Sequence, residues 1–200
     1  GQILIEDGLL TNSQFEELLA EYQASNEIDD LNVANEQNDM VEKLIHKFFH
    51  FDNSDMSGKI VAYLNLLFND IVRFIGKDFT PLNPLMKSEY MTNYCVTQKD
   101  EGLLSFNSGV DMSKSVAIAF ASRDAKEEFH EFDEYVKASI EDFLNLHNGL
   151  FNVNMSNEFS LELNLCPPEV HEEETLTNAT KIYVFPIIFP FGTIHFLMEI

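Results

Sequence analysis

The chain has no tryptophan and only two cysteines, Cys95 and Cys166, among 200 residues. Two cysteines without metal-type spacing build neither a disulfide framework nor a zinc site, and they fit a reducing cytoplasm. Basic residues are scarce too: 12 Lys and Arg stand against 34 Asp and Glu, for a net charge of −22. A field of that sign repels nucleic acid and anionic lipid and steers toward basic protein surfaces or cations. Simple solubility of an acidic chain is the plain alternative. Long apolar runs are also missing, so no membrane insertion is expected. The best candidate, 182-IYVFPIIFPFGTIHFLMEI-200, is broken by Pro186, Pro190 and Gly192 and reads as two strands with a proline-marked turn. No basic segment with a cleavage site marks a signal peptide. Gly1 is not a natural start, so the chain is expected to be a piece of something longer. P-loop, G-x-S-x-G and dinucleotide fingerprints are absent, which argues against an enzyme with its own deep pocket.

What is present is core material: 45% hydrophobic residues, with eighteen Phe supplying most of the aromatic bulk. That is enough for one good core. Residues 1–24 form a small helix-turn unit, in which Thr11 or Ser13 caps a helix carrying Phe15, Leu18, Leu19 and Tyr22 at helical spacing. Residues 25–39 are acidic and poor in anchors, and read as a linker. The main domain, 40–200, opens with two amphipathic helices, one through Val41–Phe49 and one over 56–76, the second ending at Gly76 with Arg73 near its negative pole. Past Pro81 and Pro84 the period changes. Tyr90–Gln98 and Gly102–Asn107 are expected as paired strands joined by a turn at 99-KDEG-102, then a helix over Ser108–Ser122 and a long helix over Phe132–Phe151. Strands near 158–165 and 181–200 close the chain. The order predicts an α+β fold with a mainly antiparallel sheet.

The long helix contains 139-SIEDFLNLHNGLF-151, with Asn145, His147 and Asn148 where better helix formers would serve. At about 100° per residue, Val136, Ile140, Phe143, Leu150 and Phe151 share one apolar face. Relative to Asp142, Asn145 lies at about −60° and Gly149 at about −20° by the same geometry. A carboxylate, an amide and a bare backbone position thus form one line away from the apolar centre. Gly149 would admit the close approach of a partner.

That line carries a resemblance. The CheX/CheC/FliY family of chemotaxis phosphatases bears, on a long helix, an Asp or Ser, three residues, Glu, two residues, Asn, three residues, Gly. Asn145 and Gly149 match the Asn and Gly; Asp142 occupies the Glu position and Ala138 the leading one. The segment 161-LELNLCPPEV-170 resembles the family's strand ending in a double proline, and the resemblance spans roughly residues 55–200. It implies a CheX-like fold and the hydrolysis of the aspartyl-phosphate of a CheY-like receiver domain. Asn145 would hold the attacking water, as the Gln of GTPases does. Asp142 would pair with a receiver lysine, and Gly149 would lie against the partner. No cofactor of its own is implied, since Mg2+ would belong to the receiver. A homodimer is a further option. A catalytically silent CheX-like interaction module is the alternative. The front unit, with Gly1, Leu4, Gly8, Leu9, Leu10, Phe15, Leu19 and Gln23 in register, resembles a single motif of the N-terminal domain of type II secretion ATPases, and is read as a docking unit.

Rival constellations are weaker. His46 and His50 sit at i, i+4 without a third ligand or an intervening glutamate. The carboxylates around His130 in 127-EEFHEFDEY-135 read as a solvated acidic surface. His147 is expected at the core or its boundary, and Cys166 as a small buried hydrophobe.

Overall fold

A computed structural model describes residues 54–199, apart from the side chains of 54–57 and 178–180. The front unit, the linker, the helix expected at Val41–Phe49 and the His46/His50 pair lie outside the described residues.

Helix α1, Ser54–Asp70, runs into a π-helical turn, Ile71–Ile75. It ends at Gly76, whose φ of 137° is open only to glycine and whose N–H bonds to the Ile71 carbonyl. Strands follow at β1, Thr80–Pro81; β2, Leu85–Met91; β3, Tyr94–Gly102; and β4, Phe106–Met112. Then come α2, Lys114–Ala125, and α3, Glu134–Phe159. The chain closes with β5, Leu163–Leu165; β6, Glu169–Glu172; β7, Thr175–Phe189; and β8, Gly192–Glu199. All pair antiparallel in one eight-stranded sheet with the path β1-β7-β8-β4-β3-β5, where β2 also pairs with β7 and β6 with β3. The α+β class with a mainly antiparallel sheet is thus as expected.

Boundaries moved where burial outweighed local turn chemistry. The 99-KDEG-102 stretch is strand, with Lys99 opposite Asn107 and Asp100 opposite Phe106, and the turn falls at Leu103–Ser105. Ser108–Met112 is likewise strand rather than helix, because Ser108, Val110 and Met112 face a core that is already there. Ser113 then caps α2 by accepting from the Val116 N–H. Asp133 caps α3 by accepting from the N–H groups of Tyr135 and Val136, and the helix runs eight residues past Phe151 to Phe159. In the closing hairpin the turn is Pro190–Phe191, while Pro186 lies within β7 opposite His195. The double proline separates β5 from β6, and both of these flank β3.

The core fills the space between the sheet and the helices. Alternate residues of the strands, such as Tyr94 and Val96 on β3, Val110 and Met112 on β4, and Ile194, Phe196 and Met198 on β8, point at the helices. From α3 come Val136, Ile140, Phe143, Leu144, Phe151 and Met155; α1 supplies Tyr63, Leu64 and Leu67, and α2 Val116 and Phe120. The other face of the sheet keeps a smaller cluster of Tyr90, Cys95, Ile182, Val184 and Leu197. Within it, buried Asp111 accepts from the Tyr90 hydroxyl and from the Asn93 backbone and side-chain amides. Both cysteines are free, and burial pushes the Cys95 thiol up, away from reactivity.

Candidate functional site

The central stretch of α3 divides sharply. Asp142 and Asn145 are exposed and Gly149 is half-buried, while His147 and Asn148 are fully buried. The outward line expected from the wheel is therefore present, and His147 is a core residue, also as expected. A Cβ added at Gly149 would meet no atom within 4 Å beyond its own turn, so internal packing does not demand glycine there. Glycine inside a helix costs roughly 0.5–1 kcal/mol against alanine.

Beneath the line lies a polar seam between α3 and β3. Asn145 accepts at Oδ1 from Gln98 Nε2, 2.9 Å away. The same Nε2 donates to the Cys166 carbonyl at 2.9 Å. Gln98 Oε1 accepts from Asn148 Nδ2 at 3.0 Å, and Asn148 Oδ1 accepts from the Tyr63 hydroxyl at 2.7 Å and the Ser108 hydroxyl at 3.2 Å. One turn further on, Asn152 Nδ2 donates to Asp100 Oδ1 at 2.6 Å. Gln98 and Asp100 are alternate residues of β3, both buried on the helix-facing side. Cys166 is only half-buried, and its contribution here is a backbone carbonyl rather than hydrophobic bulk.

His147 faces α1, with Nδ1 2.8 Å from Asp70 Oδ2 and its ring 4.5 Å from that of Tyr63 in an edge-on packing. Burial lowers its pKa, against the opposing pull of Asp70. Burial also raises the Tyr63 pKa, so its hydroxyl keeps its proton and remains a donor.

Asp142 makes no side-chain hydrogen bond or ion pair among the described residues. Its electrostatic neighbour is Asp124, which accepts from Ser139 at 2.8 Å. Burial pushes the Asp124 carboxyl up and the Asp142 charge adds to the shift. The two neighbouring carboxylates make this part of the helix surface electronegative.

Asp100 has a further consequence. It is fully buried, its Oδ2 has no hydrogen-bond partner, and neither has Asn152 Oδ1. Burial pushes its pKa up to about 6, with the Asn152 bond pulling the other way. A folded pKa above the unfolded value of about 3.9 means that the native state binds the proton more tightly. Its contribution to stability is complete below about pH 3.9 and fades as pH climbs to about 6. Asp100→Asn supplies a neutral donor to the same pair. It should stabilise the protein by about 1–2 kcal/mol at pH 7.5, after allowance for screening, and by nothing near pH 4. Urea titrations across that range check this; a difference independent of pH would exonerate Asp100.

Among the described residues no group of three or more His, Cys, Asp or Glu is placed to hold a metal, and the carboxylates around His130 form no such site. A shallow apolar cleft lined by Ile60, Leu104, Phe106 and Phe151, with Lys59 at its wall, holds no carboxylate, thiol or imidazole. Gln98, Asn148, Tyr63, Ser108, Asp100 and Asn152 were not anticipated as site residues. The available signal was the recurrence of asparagine at 145, 148 and 152, an i, i+3, i+7 stripe that faces one neighbour.

No protein-family model matches the sequence, and no curated protein matches it. Solved structures do. The chemotaxis protein CheX of Desulfovibrio desulfuricans superposes with a TM-score of 0.59 at 14% identity, covering 71% of this chain and 98% of that one. A CheC-like superfamily protein from Shewanella sp. PV-4 gives 0.61 at 16% identity, over 73% and 97% of the two chains. CheX of Borrelia burgdorferi, solved in complex with CheY, BeF3 and Mg2+, gives 0.59 at 17% identity, over 70% and 96%. At these identities the likeness shows the fold, which is CheX/CheC-like. No helix of the described residues is long and apolar enough to cross a membrane.

Proposed function

We propose that this domain docks the phosphorylated receiver domain of a cytoplasmic response regulator and promotes hydrolysis of its aspartyl-phosphate. One observation carries the reading: Asp142, Asn145 and Gly149 lie on a single outward line of α3, with the Asn145 amide held from below. The complex of Borrelia CheX with CheY supports a receiver as partner for a domain of this fold.

In the reaction, water attacks phosphorus in line with the bond to the aspartyl oxygen. That bond breaks, leaving inorganic phosphate and a free aspartate, and the water's surplus proton passes to phosphate or solvent. The Asn145 carbonyl spends one lone pair on Gln98 and keeps another for a hydrogen of the water, while its Nδ2 can donate to a phosphoryl oxygen. Asp142, beside Asp124 and without a basic partner among the described residues, would take the receiver's active-site lysine. Gly149 leaves space where a partner's backbone would pass. The divalent metal would be the receiver's, where it neutralises the phosphoryl oxygens.

The test is phosphate release from receiver domains charged with acetyl phosphate, with and without this protein. Acceleration supports the reading. If the receivers of the source organism are all unaffected, the domain is an interaction module only. Asp142→Glu restores the missing methylene, a reach of roughly 1.5 Å. It should lower KM for the charged receiver about 3–10-fold, since a misplaced anchor costs on that scale. An unchanged or raised KM would remove Asp142 from the docking contact.

A further inference from the structure

The orientation of the Asn145 amide is set from within the core, and we propose that Gln98 is the positioning residue that sets it. The proposal rests on the dephosphorylation reading above for its catalytic consequence, and on geometry alone for its structural part.

One atom of the seam has a role that cannot be interchanged. The Cys166 carbonyl can only accept, so the Gln98 terminus 2.9 Å from it must be the NH2 group. The same nitrogen is 2.9 Å from Asn145, whose atom there must therefore be the carbonyl oxygen. The other end of Gln98 is then an acceptor, and Asn148 meets it with Nδ2 at 3.0 Å. That leaves Asn148 Oδ1 for the Tyr63 hydroxyl at 2.7 Å. The chain thus has one direction throughout: Tyr63 donates to Asn148, Asn148 to Gln98, and Gln98 to Asn145.

A one-way chain has two effects. It fixes which end of the Asn145 amide faces outward, because a flipped amide would set NH2 against NH2. It also polarises each amide in turn, since accepting at the carbonyl makes the attached NH2 a better donor. Asn145 is exposed and would otherwise sample both amide orientations and several rotamers. Gln98 touches neither receiver nor phosphate in this scheme; it acts through Asn145 alone.

Gln98→Met keeps length and removes both donor and acceptor. The first readout is 15N relaxation of the Asn145 side-chain NH2, assigned by its loss in Asn145→Asp. In the wild type this group should be as ordered as the buried amides; in Gln98→Met its order should fall to that of exposed asparagines such as Asn154. The second readout is kinetic: kcat for the charged receiver should drop about 10-fold or more. KM, and Kd for a receiver loaded with beryllofluoride, should stay within about 2-fold, because docking does not depend on amide orientation. Should Gln98→Met fold poorly, the wild type alone decides: an Asn145 NH2 no more ordered than that of exposed Asn154 overturns the proposal. An Asn145 side chain equally ordered with and without Gln98 overturns the proposal, whatever the activity. A wild type with an ordered Asn145 and no effect on any receiver overturns the catalytic reading and leaves the positioning by Gln98 standing on the relaxation data.

Discussion

Asn145→Ala should abolish the acceleration of receiver dephosphorylation, a loss on the order of 100-fold or more, while the protein stays folded. The loss should be large because nothing else on the exposed line both donates and accepts hydrogen bonds: Asp142 only accepts and Gly149 has no side chain. Folding should be spared for separate reasons. Residue 145 is exposed, alanine is the better helix former, and Gln98 Nε2 keeps the Cys166 carbonyl when Asn145 is gone. The thermal midpoint should shift by no more than about 2 °C. Binding to a beryllofluoride-loaded receiver should persist, which separates the loss of water positioning from the loss of docking. An alanine variant that still accelerates phosphate release by the wild-type factor would take the water-holding role away from Asn145.

The second large effect is one of stability. Asn148→Ala should destabilise the fold by about 3–5 kcal/mol, since buried polar groups stripped of a partner cost about 1–3 kcal/mol each. The groups affected are the Tyr63 hydroxyl and Gln98 Oε1, with Ser108 partly compensated by its contact with the Gln98 backbone carbonyl at 3.4 Å. Tyr63 cannot turn to water, because its ring is wedged edge-on against Phe106, Phe151 and His147 at centroid distances of 5.3, 5.0 and 4.5 Å. Removing the stranded hydroxyl as well, in Tyr63→Phe/Asn148→Ala, should cost less than the sum of the single changes. Urea unfolding of the four proteins measures the coupling. Additive losses, or a single-variant loss below about 1 kcal/mol, would mean that the chain of amides contributes nothing in solution.

Much of this was legible in the residues. The 3.6-residue period of Val136, Ile140, Phe143 and Phe151 located α3 and its buried face, and the same wheel put Asp142, Asn145 and Gly149 outside. Proline and glycine punctuation found the closing hairpin. The turn between β3 and β4 was misplaced because Lys-Asp-Glu-Gly is good local turn chemistry, and only the sheet reveals that Asp100 is buried. The strand at Ser108–Met112 was missed for the same reason: its polar Ser108 and Asp111 look solvated until their buried partners Asn148 and Tyr90 are known. The support beneath Asn145 was illegible in principle. Gln98 and Asn148 are fifty residues apart, and no local pattern links a strand glutamine to a helix asparagine.

The seam also bears on how α3 can move. Amides at 145, 148 and 152 meet fixed groups on β3, so the helix is notched against the strand like a key. Sliding it by one turn, about 5.4 Å, breaks the set in either direction: one brings Leu144 to the Tyr63 and Ser108 hydroxyls, and the other puts Gly149 where Asn145 meets Gln98. No smaller slip restores the pairing. The helix therefore has one longitudinal setting. A partner docking on its outer side would meet Asp142, Asn145 and Gly149 at one fixed height above β3, set by contacts that the partner never touches.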